Sequence, residues 1–185
     1  MTVLVRPSRH ADLDAICSIY GHEVRHGLAS FEETAPDAAT LGARRADILT
    51  MGLPHLVAER SGTVIGFAYA GSYRPRPAYR HTVESSVYVG REARGQGAGR
   101  ALMDGVIAAC EAGPWREMIA VIGNARNHGS IALHKALGFR MVGTLERVGF
   151  KHGQWVDTVL MQRSLAGHGE NHLPVDNQPG PVSRL

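Results

Sequence analysis

The chain has 185 residues, 44% hydrophobic and 20% charged, with a formal net charge of +3. That is enough for a real core in one folded unit, and the mild positive balance suits an anionic ligand. The arginines are scattered rather than clustered, so nucleic acid is not an expected partner, and no apolar run approaches the roughly 20 residues of a membrane span.

The N-terminus lacks the apolar core and cleavage site of a signal peptide. Cys17 and Cys110 lie far apart, with no metal or redox spacing. A cytoplasmic protein without a metal centre is therefore expected.

Thr2 to Arg6 is short, apolar and β-branched, a first strand. Pro7 stops it and Ser8 can cap the next helix. Leu13, Ile16, Cys17, Tyr20 and Val24 then make one face of that helix. His26 to Pro36 is a connector carrying Phe31, which either tucks into the core or lines a pocket. Asp37 caps a second helix running to about Leu49. His55 to Glu59 and Thr63 to Tyr73 form a hairpin around Ser61-Gly62. A basic, proline-broken loop, Arg74 to Arg80, leads into a strand from Thr82 to Val89. Val83, Ser85, Val87 and Val89 alternate there with Glu84, Ser86 and Tyr88.

Gly90 to Gly99 is glycine-rich, and an apolar helix continues from it to Cys110. Met118 to Ile122 reads as a strand buried on both faces. Asn127 caps a helix through Leu137, with Gly138 beyond its end. Phe139 to Leu145 and Trp155 to Gln162 are strands, joined by a connection from Glu146 to Gln154. From 166 on the chain is polar, without apolar periodicity, and a flexible tail over 166–185 is expected beyond a domain of 1–165. The order β-α-α-β-β-β-α-β-α-β-β implies an α/β fold: a mixed, mostly antiparallel sheet with helices on both faces. The crossover from Thr82 through Ile122 supplies one parallel pair.

A strand, a glycine loop and a helix N-terminus together hold a phosphate well. Glycine lets backbone N–H groups turn toward an anion, and the helix end favours negative charge. Gly99 is followed by Arg100-Ala101, not the Lys-Ser/Thr of a Walker A loop, and the spacing of Gly95, Gly97 and Gly99 does not fit the dinucleotide fingerprint.

Arg94-x-x-Gly97-x-Gly99 resembles the pyrophosphate motif of the GCN5-related N-acetyltransferases, at the same place between fourth strand and third helix. Asn127, Ser130 and Leu137-Gly138-Phe139 match later landmarks, although Asn124 competes with Asn127 for the cofactor-side position. Four further blocks resemble the phosphinothricin and methionine sulfoximine branch: Ser30 to Glu33, Thr82 to Val89, Ile131 to His134 and Gly149 to Asp157.

The resemblance implies an acetyl-CoA-dependent N-acetyltransferase of a small amino-acid-like amine, with a homodimer as its assembly. It implies that Arg94, Gly95, Gln96, Gly97, Ala98 and Gly99 hold the pyrophosphate. The edge of Val87, Tyr88 and Val89 pairs with the pantetheine, Asn127 and Ser130 lie on the cofactor side, and an amide near Val89, freed at Gly90, polarises the thioester. Glu84 is the implied base, since a carboxylate amid small and apolar residues needs a task or a partner; the plain alternative is solvent or Arg80. His134 is the implied acid, with helix packing as its alternative. Arg74, Pro75 and Arg76, with Glu84, Ser85 and Ser86, would line the acceptor pocket and Phe31 would close it. Other acceptors (a protein N-terminus, a polyamine) and a non-catalytic acyl-CoA-binding module remain open.

Overall fold

Among the described residues, the apolar stripes and alternations read above become four α-helices and seven strands in the order expected. The computed structural model describes residues 2–165, so the tail expected over 166–185 lies outside the described residues. The strands are β1 (Leu4–Pro7), β2 (His55–Arg60), β3 (Thr63–Ser72), β4 (Thr82–Val89), β5 (Glu117–Gly123), β6 (Arg140–Lys151) and β7 (Gln154–Ser164). The helices are α1 (Leu13–His26), α2 (Ala38–Thr50), α3 (Ala98–Glu111) and α4 (His128–Ala136).

The sheet order is β1-β2-β3-β4-β5-β7-β6. Every pairing is antiparallel except β4 with β5. On one face α3 buries Leu102, Met103 and Val106 against Val83, Met118 and Met161. On the other α1 sets Ile16, Tyr20 and Val24 over Val57 and Phe67. The α3 stripe is therefore the larger core and the α1–α2 layer a second one, with the sheet between them.

The strand register positions the site. β4 and β5 pair only over Thr82–Ser85 and Glu117–Ala120. β4 continues along β3 to Val89, and β5 continues along β7 to Gly123. The two strands thus part company beyond Ser85 and Ala120. The splay expected at Gly90 comes earlier, beyond Ser85, and the Gly90 N–H itself is taken by the Ile65 carbonyl of β3 at 2.9 Å. Backbone polar groups alternate along a strand, so the N–H groups of Val87 and Val89 face the other way, into the gap.

Three further expectations are corrected. Ser8 is not a cap. The Asp12 carboxylate accepts the Arg9 N–H at 2.6 Å, and the Ser8 hydroxyl accepts from Arg45 Nε. β5 is not buried on both faces, because Val121 stands 38% exposed where the gap opens. Glu146 to Gln154 is not a loop: β6 runs through to Lys151 with an irregularity between Leu145 and Gly149, and only His152-Gly153 turns the chain.

Candidate active site

The gap between β4 and β5 opens a cleft of about 1090 Å³. The two strand edges form its floor, the glycine loop and the start of α3 one end, and α4 one side. The C-terminal turn of α1 and the segment Gly27–Ala29 form the opposite wall.

At the glycine loop, Gly95 and Gly97 have φ of +71° and +85°. Gly97 is the residue before α3 and sits in the left-handed region, which side chains with a Cβ adopt only under strain. Its conformation turns the chain so that the first α3 amides, unpaired within any helix, end the cleft. Gly95, Gly97 and Gly99 line it with Arg91, Arg94 and Arg100. Gln96 and Ala98 do not line it. The Gln96 amide donates to the Glu92 carbonyl and accepts from Arg60, and Ala98 is buried. Arg94 spans the loop, donating through Nε to the Val89 carbonyl at 3.1 Å and lying 3.0 Å from Glu23 of α1.

Along β4 the alternation holds as expected. Val83, Val87 and Val89 pack on the α3 side, and Tyr88 on the α1 side. Tyr88 borders the cleft, but its ring stacks on Phe67 at 5.2 Å and meets Tyr20 edge-on at 4.9 Å, so the ring serves packing. Ser85 and Ser86 line the cleft, and the Ser86 hydroxyl bonds that of Tyr69.

Glu84 lies on the Ser86 side, directly opposite Gly71 of β3. Burial pushes its carboxyl above the ordinary range, and the nearby Arg74 charge pulls it partly back. Arg74 also rests over the Tyr73 ring at 4.8 Å. Arg74, Pro75 and Arg76 are exposed and lie outside the cleft lining, as does Phe31, which packs on Gly149 of β6. The structure thus gathers most of the expected cofactor-side residues into one cleft together with Ser85 and Ser86, and leaves Glu84, Phe31, Arg74, Pro75 and Arg76 outside its lining.

Asn127 and Asn124 both line the cleft. Asn127 caps α4, its Oδ1 accepting from the Ser130 N–H at 3.2 Å, while the Asn124 Oδ1 accepts from Arg126 N–H. Ser130 and His134 lie further along the same side. The His134 ring is buried, edge-on to Phe139 at 5.0 Å, with Nδ1 2.8 Å from the Ser130 carbonyl. A carbonyl can only accept, so Nδ1 carries the proton. Burial lowers the pKa of the ring and favours its neutral form. Nε2 therefore holds a lone pair, and it is buried without a protein partner among the described residues. In this form the ring must gain a proton at Nε2 before it can give one.

The sequence offered no signal for Glu23, Val121 or Leu28–Ala29. Val121 reaches the cleft where β4 and β5 diverge, and Glu23 and Leu28–Ala29 reach it from α1 and the connection after it, placements that no spacing records. Among the described residues no three His, Cys, Asp or Glu side chains converge as metal ligands, and no helix is long and apolar enough to cross a membrane.

Comparison with known proteins agrees with this geometry. Residues 18–139 match the acetyltransferase (GNAT) family. The chain is 55% identical over 170 residues to the phosphinothricin N-acetyltransferase of Alcaligenes faecalis, covering 92% of this chain and 86% of that one. It is 38% identical over 166 residues to the L-methionine sulfoximine/L-methionine sulfone acetyltransferase of Pseudomonas aeruginosa, covering 89% and 96%. The crystal structure of a GNAT superfamily phosphinothricin acetyltransferase from Sinorhizobium meliloti in complex with AcCoA superposes with a TM-score of 0.91 at 46% identity, covering 96% and 95%. The motif, the parted strands and these relatives agree: the chain belongs to the GNAT acetyltransferase family.

Proposed function

We propose that residues 1–165 form an acetyl-CoA-dependent N-acetyltransferase that acts in the cytoplasm, without a metal ion. Its acceptor is the amino group of a small amino-acid-like molecule of the phosphinothricin or methionine sulfoximine type. The observation that carries this reading is the parting of β4 and β5 beside a desolvated carboxylate, Glu84, with an anion cradle at one end.

In this reading the amides of Gly95 to Arg100, with Arg94, hold the pyrophosphate. The gap-facing edge at Val87 and Val89 pairs with the pantetheine arm as another strand would. Asn127 and Ser130 flank the arm from α4. An amide of the same edge polarises the thioester carbonyl. The acceptor enters as an ammonium. Glu84 takes its proton, and the freed nitrogen attacks the carbonyl carbon. As the C–N bond forms and the C–S bond breaks, His134 Nε2 takes the proton that the nitrogen sheds and passes it to the departing sulfur. Arg74 and Arg76, beside Pro75, receive the acceptor carboxylate, Ser85 and Ser86 lie along its path, and Phe31 closes the margin.

The test is acetyl-CoA consumption against a panel of free amino acids, phosphinothricin, methionine sulfoximine, polyamines and peptide N-termini. Saturable thiol release with the amino-acid-like acceptors is expected. Turnover confined to peptides or polyamines would replace the acceptor, and cofactor binding without turnover on any amine would remove the enzyme.

We also propose a homodimer through the outer part of β6 and β7. β6 is an edge strand. Phe150 and Trp155, with rings 5.2 Å apart, stand 56% and 63% exposed there. Leu145 and Val148 are exposed on the same strand. Such a patch on an open edge calls for a cover. Light scattering is expected to give twice the chain mass, and Trp155→Glu the mass of one chain. A monomeric parent would refute the dimer.

A further inference from the structure

The segment Leu28–Phe31 lies between α1 and α2 and has no helical or strand pairing of its own, yet five separate contacts fix it. At Gly123, the end of β5, the Leu28 and Ala29 carbonyls come so close that a Cβ would collide with them. At Gly149 of β6 the Phe31 ring occupies the space a Cβ would need. Lys151, at the end of β6, is only 3% exposed and donates through Nζ to the Ser30 carbonyl at 2.6 Å. Glu23 folds back from α1, and its Oε1 accepts the Ala29 N–H at 3.2 Å. The Ser30 hydroxyl completes the set, meeting the Tyr20 hydroxyl at 3.0 Å.

A lysine is rarely buried this far unless something requires its charge or reach. Here Nζ is committed to a single backbone carbonyl 121 residues away in sequence. That bond ties the β6–β7 hairpin to the wall of the cleft, because Leu28 and Ala29 line the cleft. The two glycines serve the same end by letting the wall lie flush on β5 and β6.

We infer that Lys151 and Gly149 are positioning residues that set acceptor affinity by fixing Leu28–Phe31 as the acceptor-side wall. The inference rests on the acetyltransferase reading above and deepens it. Lys151 touches neither substrate nor cofactor; it acts through Ser30. Glu23 joins the two ends of the cleft, accepting the Ala29 N–H and lying 3.0 Å from Arg94 of the glycine loop; changes at Lys151 and Gly149 leave Glu23 itself in place, so cofactor affinity is expected to hold.

Two variants test it. Gly149→Ala forces the half-exposed Phe31 off β6 without disturbing the core. Lys151→Met removes the Nζ donor and leaves the Ser30 carbonyl unpaired. In each, the acceptor KM is expected to rise about 10-fold or more, since small displacements of a positioning wall have large kinetic effects. Acetyl-CoA affinity by calorimetry is expected to stay at the parent value. In a Phe31→Ala background Gly149→Ala is expected to add nothing, because the ring it displaces is gone. A general loss of stability would not produce that pattern. If Lys151→Met fails to fold, Gly149→Ala decides. Gly149→Ala with the parent acceptor KM, or with acetyl-CoA affinity lost in step, overturns the inference. A parent protein inert toward every amine removes the acetyltransferase reading and this inference together. An active parent with an unmoved Gly149→Ala variant removes this inference alone.

Discussion

Glu84→Gln is expected to lower kcat for the acceptor by about 10²- to 10⁴-fold near neutral pH, the usual worth of a positioned general base. The change keeps the side chain's shape and removes its ability to take a proton. The loss is expected to shrink as pH rises, because the amine then supplies its own deprotonated form. Glu84 must be ionised to work, and burial holds its carboxyl above the ordinary range, so kcat of the parent falls as pH drops through that raised value. The Arg74 charge opposes the rise. Removing it in Arg74→Ala therefore raises the Glu84 pKa further and moves the acid limb of kcat to higher pH, read at saturating acceptor so that any loss of carboxylate binding is set aside. A Glu84→Gln enzyme whose pH profile parallels the parent's would dismiss Glu84 as the base, and an unmoved acid limb in Arg74→Ala would break the proposed coupling.

Much of this site was legible in the sequence because it is local. The two-residue alternation of Thr82–Val89 sorts Val87 and Val89 from Glu84 and Ser86, and the structure keeps that sorting. The glycines before α3 and the Asn127 cap are likewise short-range devices. What escaped depends on chain segments far apart in sequence. Gly149 falls in the connection expected from Glu146 to Gln154; it is a strand residue kept bare for Phe31, which lies in another connection altogether. Nothing in the sequence marks Lys151, because its burial depends on the Ser30 carbonyl 121 residues away. Val121 belonged to an apolar run whose burial depended on a neighbour strand, and that neighbour turns away. The His134 tautomer is fixed by a carbonyl one turn earlier on α4, but its functional meaning comes from burial against Phe139.

Gly97→Val is expected to weaken acetyl-CoA binding by about 10²-fold while leaving most of the fold's stability intact. Gly97 holds φ at +85° immediately before α3. A β-branched residue adopts that region at a penalty of about 1–2 kcal/mol or more. The backbone can escape by rotating out, and the first α3 amides then lose their common direction. A hydrogen bond to a charged group contributes about 1.5–3 kcal/mol, so misaiming one pyrophosphate contact and straining one residue together approach about 3 kcal/mol, or two tenfold steps in Kd. No atom lies within 4 Å of a Cβ built at Gly97, so the loss comes from the backbone and not from a clash in the core. Gly52 supplies the control. It holds φ at +73° with nothing within 4 Å of a built Cβ, and it sits in the connection between α2 and β2, outside the cleft lining. Gly52→Val should therefore lower the melting temperature about as much as Gly97→Val and leave the acetyl-CoA Kd unchanged. If both variants bind acetyl-CoA as the parent does, the left-handed turn at Gly97 is a structural habit of the loop and the pyrophosphate is anchored elsewhere.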